Sequence, residues 1–286
     1  MTFKNTATNV ICVGFFLIGA VLLVINFYGS YKGMRVAEKI PASELLFEND
    51  ITISYEDSML FLQRNEFETD LEYAVRINEV VQKSIAHLDD WYGRPADLYM
   101  QLVPFSENFF LNLMGRFSGL PQMERYHFSN YRRSIERGIG LCGDHAMIMS
   151  QLLDKQGIEN RLLSFSAGHV VVEAIDDEGT SAILDADYGV AMVGFDHTFT
   201  NSEDMIVNAY MSKGYDERIS YALSNIYAKG YKPFDSTYTF MRKRYIFERV
   251  SYVAKWLLPV SLLIVAGLLL SRRSLRAKPM ERLATI

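Results

Sequence analysis

The residues best suited to covalent chemistry are a lone thiol, an imidazole and two carboxylates that follow one another along the chain. Cys142 lies in Gly138-Ile-Gly-Leu-Cys-Gly-Asp-His-Ala146, His169 opens a His-Val-Val-Val-Glu run, and Asp185 and Asp187 stand in Leu184-Asp-Ala-Asp. This is the order of a nucleophile, a general base and a group that orients the base. A thiolate attacks acyl carbons far better than a serine hydroxyl at neutral pH. The chain has two cysteines, and the other, Cys12, sits in an apolar segment near the N-terminus, so no disulfide is expected.

The flanking pattern shows what must position these groups. Ala146, Met147, Met149, Ser150 and Leu153 form an apolar or small stripe at helical spacing and Gly157 supplies a stop, so Cys142 begins a helix. Unpaired N–H groups and the macrodipole at such an end stabilise an anion on sulfur and offer donors to an oxyanion. The N–H of Cys142 is one such donor; a second is not assignable. Gly140 and Gly143 permit close backbone approach, Asp144 reads as a capping group of the first turn, and His145 reads as structural. The runs 161–166, 169–175 and 181–185, separated by Ala167-Gly168 and Asp176-Asp-Glu-Gly179, read as a strand meander with a tight hairpin. A turn closing Ile175 on Gly179 sets His169 opposite Asp185; one closing Asp176 on Thr180 sets it opposite Asp187. An acid beside the imidazole follows from either.

Two segments set the compartment. Val10 to Tyr28 carries no charge, and Ser251 to Ser271 is interrupted only by Lys255. Each is long enough to cross a hydrocarbon layer of roughly 30 Å as a helix. Lys255 is expected to extend its stem to the interface, where Trp256 is also suited to lie. The first segment exceeds the usual export core of about 7 to 15 residues and lacks a small-x-small cleavage site, so it reads as an uncleaved anchor. Two crossings put both termini in one compartment. Arg272, Arg273, Arg276, Lys278 and Arg282 mark the C-terminal tail as cytoplasmic, although Lys32, Arg35, Lys39 and Arg242, Lys243, Arg244 and Arg249 make the opposite flanks basic too. Long translocated domains defy such counts, which favours an inner-membrane protein whose intervening domain is extracytoplasmic (periplasmic).

The 286 residues are 22% charged with a net charge of -5, which suits one core-bearing domain with accessories and gives no basic excess for nucleic acid. The chain divides into an N-terminal tail (1–9), a span (10–28), a helical part (29–131), the core with the reactive groups (132–189), a helical, Tyr-rich part (190–250), a second span (251–271) and a basic tail (272–286). Within 29–131, apolar spacing predicts a helix from Glu56 to Trp91, ending before Gly93-Arg-Pro95, and a second over Leu98 to Met114; Gly115 to Ser134 reads as loop. Beyond the core, 206–211, 219–228 and 238–253 read as helices.

Gly140-Leu-Cys-Gly-Asp-His-Ala146, the helix through Leu153, Gly157-Ile158 with Arg161, His169-Val-Val-Val-Glu173 and Leu184-Asp185 together resemble the core of the transglutaminase-like superfamily of papain-like cysteine enzymes. The match covers about Arg132 to Gly189. The resemblance implies Cys142 as nucleophile, His169 as base and Asp185 as third member, in an α+β fold with the nucleophile helix packed on an antiparallel sheet between two transmembrane helices. Cross-linking members carry a Gln before and a Trp after the cysteine, where this chain has Leu141 and Gly143. The expected activity is therefore a membrane-anchored acyl transfer, preferably hydrolysis, on a peptide, protein or envelope amide; protein cross-linking is a weaker option. The rival expectation is a non-catalytic scaffold or binding module of a cell-envelope or polysaccharide system. No cofactor is expected, no calcium site is readable, and no second thiol or close His pair is present to hold zinc.

Overall fold

The computed structural model describes residues 2–47, 50, 53–88, 91–93, 95–195, 199 and 202–281; Arg94 and Arg282, named above, lie outside the described residues. The chain forms two compact units, Met1–Gly33 with Leu102–Glu124 and Glu248–Ile286, and Met34–Gln101 with Arg125–Phe247.

The first unit contains helix α1 (Thr2–Lys32) and most of the last helix, α11 (Arg242–Glu281). Two stretches, Asn9–Lys32 and Arg242–Arg272, are long and apolar enough to cross a membrane. A Cβ at Gly19 would meet the Pro259 carbonyl oxygen at 2.9 Å, and Phe27 meets Trp256 edge-on with centroids 5.3 Å apart, so small and aromatic residues set the closeness of the two helices. Lys255 is buried within this unit. It is 4% exposed and donates to the Glu107 carbonyl at 2.5 Å, with the Glu107 carboxylate 4.0 Å away, while its own carbonyl accepts from Asn26 at 2.6 Å. A buried ammonium needs such partners because its desolvation costs several kcal/mol otherwise, on the order of that for any unpaired buried ion.

The expected helix over Leu98 to Met114 is much shorter. Pro104 cannot continue a helical ladder, and the Asn108 side chain accepts from the N–H groups of Phe110 and Leu111 at 3.1 and 3.2 Å, so helix α4 starts at Phe109 and runs Phe109–Phe117. A single turn, α5 (Pro121–Glu124), follows.

In the second unit the predicted helix from Glu56 to Trp91 is broken in two, α2 (Tyr55–Phe61) and α3 (Asp70–Ser84). Thr69 and Glu72 form a reciprocal capping box that starts α3, which outweighs the continuing apolar period. Residues Ala86–His87 then leave helical geometry as β1, pairing in parallel with β2 (Ile139–Gly140), so that His87 lies beside Gly140. The stretch read as loop holds α6 (Tyr131–Arg137), capped by Asn130 and ended by Gly138 at φ 76°.

Helix α7 (Cys142–Gln156) packs on a five-stranded antiparallel sheet of order β6-β5-β4-β3-β7. Its strands are β3 (Glu159–Phe165), β4 (Val170–Ile175), β5 (Ser181–Asp185), β6 (Val190–Val193) and β7 (Tyr231–Phe234). The period-two alternation assigns the faces: Leu162, Val172, Ala174 and Leu184 bury against α3 and α7, and Leu163, Val171 and Ile183 bury against α8 (Glu203–Ser212) and α9 (Glu217–Tyr227). Strands β6 and β7 were not legible, and the predicted 238–253 helix is instead a turn, α10 (Thr237–Phe240), and the start of α11, separated by Met241 at φ -133°, ψ 42°. The fold is α+β, with a helix headed by Cys142 on an antiparallel sheet.

Candidate active site

Cys142 is the first residue of α7 and is partly exposed. The end of the helix is anchored from below. The Asp144 carboxylate accepts from the Leu141 N–H at 3.0 Å and from His127 Nδ1 at 2.6 Å, with the Arg137 guanidinium 3.9 Å away. Burial acts to raise the Asp144 carboxyl, and His127 and Arg137 outweigh it and hold it below its usual range. A Cβ at Gly140 would meet the Asp144 side chain at 2.8 Å, so only glycine lets the carboxylate close on the helix end, whereas at Gly143 the nearest atom, of Phe240, is 3.9 Å away. The N–H groups of Cys142 and Gly143 belong to the first turn and have no acceptor within the helix.

His169 precedes β4 and Asp185 ends β5. The hairpin closes Asp176 on Thr180, with the Asp176 N–H donating to the Thr180 carbonyl at 3.0 Å, so the register pairs Val172 with Leu184 and puts Asp187 formally across from His169. The imidazole nevertheless reaches diagonally by two residues: His169 Nε2 and Asp185 Oδ2 are 2.7 Å apart. The Asp185 carboxylate also accepts from the Tyr210 hydroxyl, which lies 3.0 Å from that of Tyr227, and from the Asp187 N–H at 3.2 Å. Burial would lower His169, but Asp185 and the neighbouring Cys142 outweigh it and hold the imidazole well above its ordinary range. With Nε2 committed to Asp185, Nδ1 is left for the sulfur. Donor atoms of Cys142, His169 and Asp187 all lie within 4.8 Å of one another, and the sulfur is 3.7 Å from the Gly168 carbonyl oxygen.

Asp187 turns to a second cluster. Its Oδ1 is 2.9 Å from His87 Nε2 and 3.2 Å from His145 Nδ1, and His87 Nδ1 is bonded to Asp50 Oδ2 at 2.9 Å. The two imidazoles stack with centroids 4.7 Å apart and planes within 5°. Burial would lower His87, but Asp187 and Asp50 prevail and push it up to about 10. Burial and the adjacent His87 cation lower His145, which stays neutral. Burial would raise Asp187, and His87 more than reverses it. The donor sets Cys142–His169–Asp187 and His87–His145–Asp187 each have the composition of a cation site, but in the second both nitrogens of His87 are already bonded to carboxylates.

Cys142, His169 and Asp185 thus come together, as does Asp187. Sequence reasoning missed His87, Asp50, His127, Tyr210 and Tyr227. His87 falls between Ile85 and Leu88, which continue the helical apolar spacing, so nothing in the sequence sets it apart. Tyr210 and Tyr227 stand at the apolar positions of α8 and α9 and carry no pattern that sets them apart from core residues.

Comparison of the chain with family models, with curated proteins and with solved structures gives no match.

Proposed function

We propose that the second unit is a cysteine acyl-transfer enzyme of transglutaminase-like, papain-like type, held at a membrane by the two apolar helices. The observation that carries this reading is the sulfur of Cys142 at a helix N-terminus with a ring nitrogen of His169 within 4.8 Å, the Nε2 of that ring being bonded to Asp185 at 2.7 Å. In the reaction His169 takes the thiol proton through Nδ1, and the sulfur adds to an amide or ester carbonyl carbon. The carbonyl electron pair moves to oxygen, which accepts from the Cys142 N–H and, in this reading, the Gly143 N–H. Collapse expels the amine or alcohol with the proton from His169, leaving a thioester. Water, deprotonated by His169, then attacks that thioester and restores the thiol. Asp185 holds the ring and favours its cation without taking the proton. The charge of Asp187 near the sulfur is countered by His87. The substrate class is a peptide, protein or envelope amide, and the domain lies outside the cytoplasm of an inner membrane, with both termini inside.

The test is labelling of the folded full chain by iodoacetamide at neutral pH. Cys142 is expected to react faster than buried Cys12, and His169→Ala to slow the reaction on the order of 10²-fold, within the range of general-base contributions. Equal rates in wild type and His169→Ala would contradict the reading.

One contact favours a second reading. The Gly168 carbonyl, 3.7 Å from the sulfur, is a partner for a neutral S–H group and not for a thiolate. A non-catalytic scaffold of an envelope system would keep the thiol in that state, and Cys142→Ala and His169→Ala would then both restore function in a complementation assay.

A further inference from the structure

Away from the cysteine, the ends of α2, α6 and α7 enclose a cleft of about 360 Å³. Its charge is unbalanced. Arg64 on one wall is paired with Asp70 at 2.6 Å. Arg132 and Lys155 are not so compensated: Arg132 Nε and Lys155 Nζ donate to the same Tyr131 phenol oxygen at 3.1 and 2.9 Å, and both lie over the Tyr131 ring, 5.7 and 5.2 Å from its centroid. Among the described residues no carboxylate lies within ion-pair distance of either. Two cations that could separate into water instead converge on one neutral oxygen, which offers each only part of what an anion would. Burial acts to raise the Tyr131 phenol, yet Lys155 and Arg132 outweigh it and hold it below its usual range, which registers the positive potential of the cleft.

We propose that this cleft binds the phosphate group of a small phosphomonoester, with Arg132 and Lys155 as the anion contacts. The two uncompensated charges match a phosphate dianion, whereas a carboxylate would leave one over. The guanidinium presents a planar fork to two phosphate oxygens, and the ammonium supplies a point charge. The volume falls in the range of small-ligand sites and exceeds a bare phosphate, so the organic part lies along the Tyr73 and Gln63 wall. The inference is independent of the chemistry assigned to Cys142.

The experiment uses the full chain in detergent micelles at constant ionic strength and follows thermal unfolding as inorganic phosphate, phenyl phosphate or chloride is titrated. Both phosphates are expected to raise the midpoint saturably, phenyl phosphate at lower concentration, while chloride does not. The Arg132→Gln/Lys155→Gln variant is expected to weaken both by roughly tenfold or more, as the loss of charge-assisted hydrogen bonds requires. Cys142→Ala is expected to bind as wild type. The ligand-free unfolding midpoint of the double variant, with both substitutions at exposed positions, is expected to match wild type and shows that the loss is not misfolding. An equal response to chloride, no saturable shift in wild type, or undiminished phosphate binding by the folded variants would overturn the proposal.

Discussion

Two buried histidine–aspartate couples flank the start of α7, and they differ in what each imidazole has left to give. His169 and Asp185 are 2.7 Å apart, His87 and Asp187 2.9 Å. Among the described residues His169 has a carboxylate on Nε2 only and lies beside the Cys142 sulfur, so the ring is left able to exchange a proton. His87 has a carboxylate on each nitrogen and is held protonated up to about pH 10, so it can only supply fixed positive charge. Bond length does not separate the two imidazoles here. The occupancy of the second nitrogen does.

The comparison breaks most sharply at the sulfur and the first couple. Asp185→Asn keeps the shape of the carboxylate but loses the charge that favours the imidazolium, and turnover of an amide or ester substrate is expected to fall by roughly 10²- to 10⁴-fold, as for an orienting acid. Asp187→Asn, next to the counterion, is expected to cost about tenfold at most in the same assay. A larger loss for Asp187→Asn than for Asp185→Asn would exchange the two assignments.

His87→Gln tests the second couple through stability. Removing one partner of a buried ion pair costs about 3 to 5 kcal/mol, measured by urea unfolding at neutral pH. The sign follows from the raised imidazole: its stabilisation is complete below the ordinary histidine value near 6.5 and fades as pH rises toward about 10. The stability gap between wild type and His87→Gln is therefore expected to shrink over that window. A gap that stays constant or widens would mean that His87 is buried neutral.

How much of this was legible in the chain depends on how locally each feature is specified. Helix α7 was readable because its apolar stripe and Gly157 lie within one continuous run, and β3 to β5 because Val-Val-Val and its neighbours alternate with turn residues. His169 and Asp185 are 16 residues apart across one hairpin, so an acid beside the ring was accessible to register arithmetic. Spacing left Asp185 and Asp187 open; the observed register sets Asp187 across from His169, and only the diagonal reach of the side chains decides for Asp185. The His87–Asp187 bond joins residues 100 apart and depends on a two-residue parallel pairing of β1 with β2, too short to leave any periodic signal. The break between α2 and α3 was marked by Thr69 and Glu72, a capping box inside a run whose apolar spacing continues through it. The partners of Lys255, Glu107 and Asn26, come from distant sequence and leave no local signal.

The smallest effects concern the geometry around Cys142. Tyr210→Phe removes one donor to Asp185 from a buried position and is expected to cost about 1 to 2 kcal/mol in urea unfolding while leaving the packing intact. Gly140→Ala is expected to destabilise by about 1 to 3 kcal/mol, since its methyl would meet the Asp144 carboxylate, and Gly143→Ala to stay within about 0.5 kcal/mol. Equal costs at the two glycines would mean that Asp144 is free to move away from the helix end.

The proposed chemistry is a covalent acyl bond on Cys142, formed with help from His169. It is tested most directly by intact-mass and peptide-mapping spectrometry of the folded full chain quenched in acid after mixing with an activated ester. The expected result is an acyl adduct on Cys142 in wild type, lost in Cys142→Ala and formed far more slowly in His169→Ala. An adduct that never forms on Cys142, or that forms there equally fast without the imidazole, would contradict the claim.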